Sequence, residues 1–190
     1  MSVKPRPQSP KKVKSVVRDI KVFDLSLEEM VQRDVRAIQS MFGQLPEIQF
    51  FGKNDQILNQ GKQQNIEGFS LRLVIENWYD VYDIEFYEKV FKDSTNLSIR
   101  EYRYRLKSEI VENEFFRFDH NSRMAIIFPA QHINADENKY KKAHYTFPQD
   151  IDIDLERVNA ENMVNTFTHY LSSGIHPVEE RGKEYISIIN

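Results

Sequence analysis

An α+β domain is the fold class that the sequence predicts: an antiparallel β-sheet meander with one face covered by an N-terminal and a C-terminal helix. Apolar residues recur at helical spacing in two segments, one beginning at Ser26 and one from about Asn159 or a little earlier. Between them the period changes to two, segment after segment. A helix with one apolar stripe and a strand with one apolar face both need cover, and laying the helices on the sheet supplies it to each.

Residues 1–14 are rich in Pro, Ser, Lys and Arg and nearly devoid of apolar side chains. Such a segment buries too little to offset the entropy of ordering, so a flexible basic arm is expected ahead of a single α+β domain over residues 15–190. Helix formation is expected at Ser26-Leu27-Glu28-Glu29, which has capping-box form. Leu27, Val31, Val35, Ile38 and Phe42 then line one face, and Gly43 with Pro46 supplies the stop.

Strands follow. Phe69, Leu71, Leu73 and Ile75 alternate with Ser70, Arg72, Val74 and Glu76, and Tyr82, Ile84 and Phe86 alternate with Asp83, Glu85 and Tyr87. Tyr102, Tyr104 and Leu106 alternate with Arg103, Arg105 and Lys107, and Phe116 and Phe118 with Arg117 and Asp119. Shorter strands are expected around Ile133 and Ala135 and around Ala143, Tyr145 and Phe147, with a polar turn from Asp136 to Lys141 between them. In the second helix Met163, Val164, Phe167, Tyr170 and Leu171 share a face, and Gly174 ends it before Pro177. The tail Tyr185-Ile186-Ser187-Ile188-Ile189 has the composition of a last strand.

Composition narrows the function. With 190 residues, 40% of them hydrophobic, the chain is long enough for one domain with a real core. A net charge of -3 argues against holding nucleic acid by bulk positive charge, although a local basic patch is compatible with it. The absence of cysteine removes disulfides, thiolate metal sites and a Cys nucleophile. No apolar run approaches the ~20 residues that span a bilayer, and no apolar stretch follows the basic N-terminus as in a signal peptide. A soluble cytoplasmic protein without membrane contact is the expectation.

If the strands near 81–90, 101–107 and 115–119 are neighbours, their polar sides present Asp83 and Glu85, then Arg103, Arg105 and Lys107, then Arg117 and Asp119. His120, His132 and His144 are placed to join this face from adjoining segments. A metal-independent ribonuclease needs this kind of set: a group to take the 2′-hydroxyl proton, cations for the phosphate, and an acid for the leaving oxygen. Tyr79, Tyr87 and Phe115 offer stacking surface for unpaired bases. The alternative is a solvated sheet face, because cross-strand ion pairs are ordinary and contribute only about 0.2–1 kcal/mol each. His169, among apolar helix positions, reads as a packing or surface residue, and His176 before Pro177 as a turn residue.

Asp150-Ile151-Asp152-Ile153-Asp154 with Glu161 has part of the spacing of a calcium loop. Leu155 stands where the turn glycine belongs, and the alternation fits a strand edge better. No metal and no cofactor is expected. No Gly-rich phosphate loop, His-x-x-x-His or Gly-x-Ser-x-Gly is present.

The order of an aromatic-rich charged strand (Glu101 to Lys107), a strand ending Arg117-Phe118-Asp119, then Pro129 and His132, resembles the TumE-like toxins of bacterial toxin-antitoxin modules and related proteins encoded near phage-defence genes. The similarity covers about residues 67–135. It implies Arg117, Asp119 and His132 as catalytic positions; Arg103, Arg105, Lys107 and His120, from the polar-face reading, are the expected nucleic-acid contacts. Two departures stand out. The family commonly follows its aspartate with an Asn-Ala-Pro-His-His type segment, where this chain has His120-Asn121-Ser122-Arg123, and its His-x-His is here His132-Ile133-Asn134. Asn134 hydrogen-bonds but shuttles no proton, which bears on catalysis itself and on the assignment of acid and base.

Two functions of different class follow as expectations. One is a small bacterial toxin-like or antiviral defence protein acting on or binding RNA through the polar sheet face, as a nuclease with Arg117 and Arg103 on phosphate, Asp119 orienting and His132 transferring the proton. The other is a non-catalytic subunit of a larger defence or nucleic-acid-processing complex, docking an antitoxin or effector protein.

Overall fold

The computed structural model describes residues 20–22, 25–58, 65–93, 96–121, 130–146 and 158–179. The arm at 1–14, Pro129, Phe147, the Asp150–Asp154 alternation and the tail strand at 185–189 lie outside the described residues.

Helix α1 (Leu27–Phe42) begins where the capping box predicts: Glu29 N donates to Ser26 Oγ at 3.2 Å, and Ser26 N donates back to Glu29 Oε2 at 2.7 Å. It ends at Gly43, whose φ of 72° is the left-handed conformation that glycine adopts without steric cost. After it come β2 (Glu47–Phe51), the two-residue β3 (Ile57–Leu58) and the long strands β4 (Gly68–Glu76), β5 (Val81–Asp93) and β6 (Asn96–Ser108). Then follow β7 (Phe115–Asn121), β8 (Gln131–Ala135), the single-turn α2 (Glu137–Tyr140), β9 (His144–Thr146) and α3 (Ala160–Ser173). The polar turn expected at 136–141 is thus a short helix capped by Asp136, whose carboxylate accepts from Lys139 N at 3.0 Å.

Every strand pairing is antiparallel, in the order β3-β2-β4-β5-β6-β7-β8-β9, with β1 (Ile20–Val22) on the far end of β6. From β4 to β9 each strand lies beside its sequence neighbour, as a meander requires. Register follows from the alternation: Phe69, Leu71 and Leu73, then Ile84 and Phe86, then Tyr104 and Leu106, then Phe116 and Phe118 all turn to one face and are buried. Both long helices pack on that face. Met30 and Ile38 of α1 and Met163 and Phe167 of α3 are fully buried, and Phe167 lies 5.0 Å from Phe86 and 5.3 Å from Phe116, centroid to centroid. No described helix is long and apolar enough to cross a membrane.

Two polar groupings interrupt this core. Glu88 of β5 and Asp34 of α1 are fully buried between sheet and helix. Glu88 accepts from Tyr104 Oη at 2.5 Å, and Asp34 pairs with Arg33 at 2.8 Å. At the end of the sheet Glu114 gathers Lys139, Tyr140 and Tyr170, fastening α2 and α3 to the β6–β7 hairpin.

Candidate functional site on the outer sheet face

The face turned away from the helices is polar because it holds the other half of each alternation. Register places its side chains in rows that run across the sheet. One row reads Tyr87, Arg103, Asp119, His132, and the next reads Glu85, Arg105, Arg117, Asn134, His144. The neighbourhood of β5, β6 and β7 assumed from sequence is therefore the observed one, and β8 and β9 extend it with imidazoles.

Arg105 and Arg117 stand directly opposite one another, a like-charge pairing that destabilises a sheet unless each charge is satisfied elsewhere. The two forks turn apart. Arg105 Nη2 lies 2.6 Å from Asp83 Oδ2 and 3.5 Å from Glu85 Oε2. Arg117 reaches along its own strand and makes a two-pronged pair with Asp119: Nε to Oδ1 and Nη2 to Oδ2, both at 2.7 Å. This hydrogen bonding, ahead of the burial that opposes it, raises the Arg117 pKa from its ordinary value.

Asp119 is the hub. Its Oδ2 also accepts from Asn134 Nδ2 at 2.7 Å, and His132 Nε2 stands 3.7 Å from the same oxygen. That last separation exceeds hydrogen-bond length, so His132 sits beside the carboxylate rather than bonded to it. Both side chains are only 13% exposed. His144 on β9 brings a second imidazole, its ring centroid 5.2 Å from that of His132. These groups line a cavity of about 290 Å³. Arg103 closes its other side with its guanidinium carbon 4.0 Å above the Tyr87 ring. Arg103 Nε also pairs with Glu101 Oε1 at 3.4 Å, so an ion pair and the stack on Tyr87 together hold this fork.

Of the positions that sequence singles out, Arg117, Asp119, His132 and Arg103 converge. His120 lines the same cavity but is only 3% exposed: one residue after outward-facing Asp119 the pleat turns its side chain inward, where it stacks on Tyr102 at 5.4 Å between centroids. Arg105 is engaged by Asp83, and Lys107 pairs with Glu109 at 3.1 Å toward the hairpin end of the sheet. Tyr87 offers no open platform, since Arg103 covers its ring, and Tyr79 lies at the β4–β5 hairpin tip. His176 opens a turn, as expected, its carbonyl accepting from Glu179 N at 2.9 Å, but its ring is buried: Nε2 lies 2.9 Å from the Phe115 carbonyl oxygen, and Val178 N approaches Nδ1 at 3.3 Å. Among the described residues no group of three or more His, Asp or Glu side chains is placed to hold a metal ion.

The site's chemistry is that of a carboxylate fixing an arginine fork and an amide beside two close imidazoles, with another arginine at the rim. No protein-family model, curated protein or solved structure matches the chain.

Proposed function

We propose that the chain acts on RNA through this face as a metal-independent ribonuclease, in the manner of a small cytoplasmic bacterial toxin or anti-phage defence protein. The observation that carries the reading is the convergence on Asp119 of Arg117, Asn134 and His132, with His144 beside His132. One imidazole takes the proton of the 2′-hydroxyl as that oxygen attacks phosphorus. The other, as imidazolium, gives a proton to the 5′-oxygen as the P–O bond breaks, leaving a 2′,3′-cyclic phosphate. Arg117 is largely neutralised by its own aspartate, so the charge of the crowded phosphorus falls chiefly to Arg103. Asp119 and Asn134 hold the cavity wall in place and touch no reacting atom.

The test is cleavage of single-stranded RNA by purified protein in EDTA. Cyclic-phosphate products from the wild type, reduced about 100-fold or more in His132→Ala, support the reading. Intact RNA in both samples overturns it.

A second reading, a non-catalytic subunit of a larger complex, is favoured by a separate observation. Trp78 and Tyr79 are 97% and 89% exposed on the β4–β5 turn. The turn is rigidly built: Asn77 Oδ1 accepts from Tyr79 N and Asp80 N, and Asp80 Oδ2 accepts from Ser108 Oγ at 2.6 Å. A fastened turn that holds two large aromatic rings in water has the features of an interface anchor. Co-purification with the product of a neighbouring gene, lost in Trp78→Ala and accompanied by no activity alone, would favour this reading.

A further inference from the structure

The outer face does not end at the imidazoles. Past Glu101 and Asn121, which line both hollows, it opens into a second cavity of about 510 Å³. Lys53, Lys89, Lys92 and Arg100 line this cavity against two carboxylates, Glu67 and Glu101. A local excess of positive charge is thus concentrated on a chain whose net charge is -3.

A β-bulge builds it. Lys89 pairs with Glu101 but Val90 pairs with Ile99, so Arg100 is the extra residue and leaves the regular alternation. Its guanidinium carbon lies 3.4 Å above the Phe91 ring, and Phe91 is 39% exposed. This repeats the Arg103–Tyr87 arrangement three positions earlier in β6, about 10 Å away at strand rise. Lys89 is held by Asp55 at 2.6 Å, whereas no ion pair engages Lys53 or Lys92 among the described residues.

We infer that this cavity is a polyanion subsite that takes the phosphates of a single-stranded RNA segment running on from the bond held at His132 and His144. The inference rests on the RNA reading and extends it to a substrate class. Unpaired strands bind tracks where lysines follow the phosphates and bases stack on guanidinium planes, such as the outer side of Arg100 that Phe91 backs. A duplex presents no free base faces to the Phe91–Arg100 pair. The second cavity is separate from the one that holds His132 and His144, so the subsite serves strands longer than a dinucleotide.

The experiment compares a dinucleoside monophosphate with a labelled single-stranded RNA of about ten nucleotides, using wild type and Lys53→Glu/Lys92→Glu, both exposed positions where folding is insensitive to charge. The wild type is expected to prefer the longer strand by about 10-fold or more in kcat/KM at low salt, and the variant to lose that preference through KM. The slope of log affinity against log salt should fall in magnitude by about 1.4, which is 0.7 for each contact removed. Arg100→Glu should act in the same direction.

Equal binding of the longer strand by wild type and variant, with the same salt slope, overturns the subsite. Equal affinity for the duplex of the same sequence overturns its preference for single strands. If the wild type binds the strand, weakens in the variant and cleaves neither substrate, the subsite stands while the ribonuclease reading falls. Failure of the wild type to bind the strand at low salt removes both.

Discussion

His144 stands 5.2 Å from His132, ring centroid to ring centroid, although twelve positions and a helical turn separate them in the chain. Antiparallel pairing of β8 with β9 sets Asn134 against His144 and His132 against Thr146, so the two imidazoles are diagonal neighbours on one face. The second imidazole that His132-Ile133-Asn134 lacks in sequence stands on the next strand.

That arrangement makes a kinetic prediction. If one imidazole is the base and the other the acid, RNA cleavage has a bell-shaped pH profile, and His144→Ala removes one limb of it. His132→Ala and His144→Ala each cost about 100-fold or more, and the double variant costs little beyond either, because the pair works as a unit. A His144→Ala profile that keeps both limbs would assign the second proton transfer elsewhere.

Asp119→Asn tests the hub. The amide is uncharged and cannot accept both prongs of Arg117 while also accepting from Asn134, so the Arg117 fork loses its fixed orientation. The Arg117 side chain is 38% exposed and solvent screens part of the pair, so the stability lost is about 1 kcal/mol by urea denaturation. Activity should fall by a larger factor, and Arg117→Lys should not restore it, since an ammonium keeps the charge without the fork. Unchanged activity in Asp119→Asn would show the carboxylate to be an ordinary strand pair.

Much of this face was legible in the chain. Alternation through Tyr102 to Lys107 and Phe116 to Asp119 predicts which side chains turn outward, and the neighbour order of β5, β6 and β7 follows from short connections. The same alternation, carried one residue further, would have put His120 in the core. What alternation cannot supply is where it breaks. The bulge after Lys89 follows no local pattern, so the cavity around Arg100 and Lys92 was not foreseen. Glu88 falls in phase with Ile84 and Phe86 on the buried face; a charged residue in that phase was the available signal for the interior acid pair.

That interior pair makes stability fall as pH rises from mild acid toward 8. Burial, then the nearby charge of Asp34, pushes the Glu88 carboxyl up from 4.5 to about 8, and burial raises Asp34 to about 6 despite the Arg33 guanidinium beside it. A carboxyl whose pKa is raised on folding contributes most below its unfolded value, and the contribution is lost as pH rises through the folded value. Thermal midpoints should therefore decline between about pH 4.5 and 8 on account of this pair. Glu88→Gln keeps an oxygen for the Tyr104 hydroxyl without ionising and should flatten that decline. A variant whose midpoint still falls as steeply as the wild type's across this window would exclude Glu88 as the cause.

His176 sets the opposite limit. Burial, with a smaller contribution from the Lys139 ammonium, lowers its pKa from 6.5 to about 4, while the Phe115 carbonyl and the Glu114 carboxylate pull the other way. Val178 N approaches Nδ1 as a donor, so Nε2 carries the proton and donates to the Phe115 oxygen; the neutral ring satisfies both backbone groups. A second proton on Nδ1 would face that N–H and break the arrangement. Because the unfolded chain binds this proton first, stability falls as pH drops from about 6.5 toward 4. His176→Ala should lose about 2–3 kcal/mol at neutral pH by orphaning the Phe115 carbonyl and the Val178 amide. It should also be less sensitive than the wild type to acid between those limits. Denaturation curves at pH 7 and pH 5 decide the matter: an equal loss of stability on acidification in both proteins would place the acid-sensitive group outside the turn that follows α3.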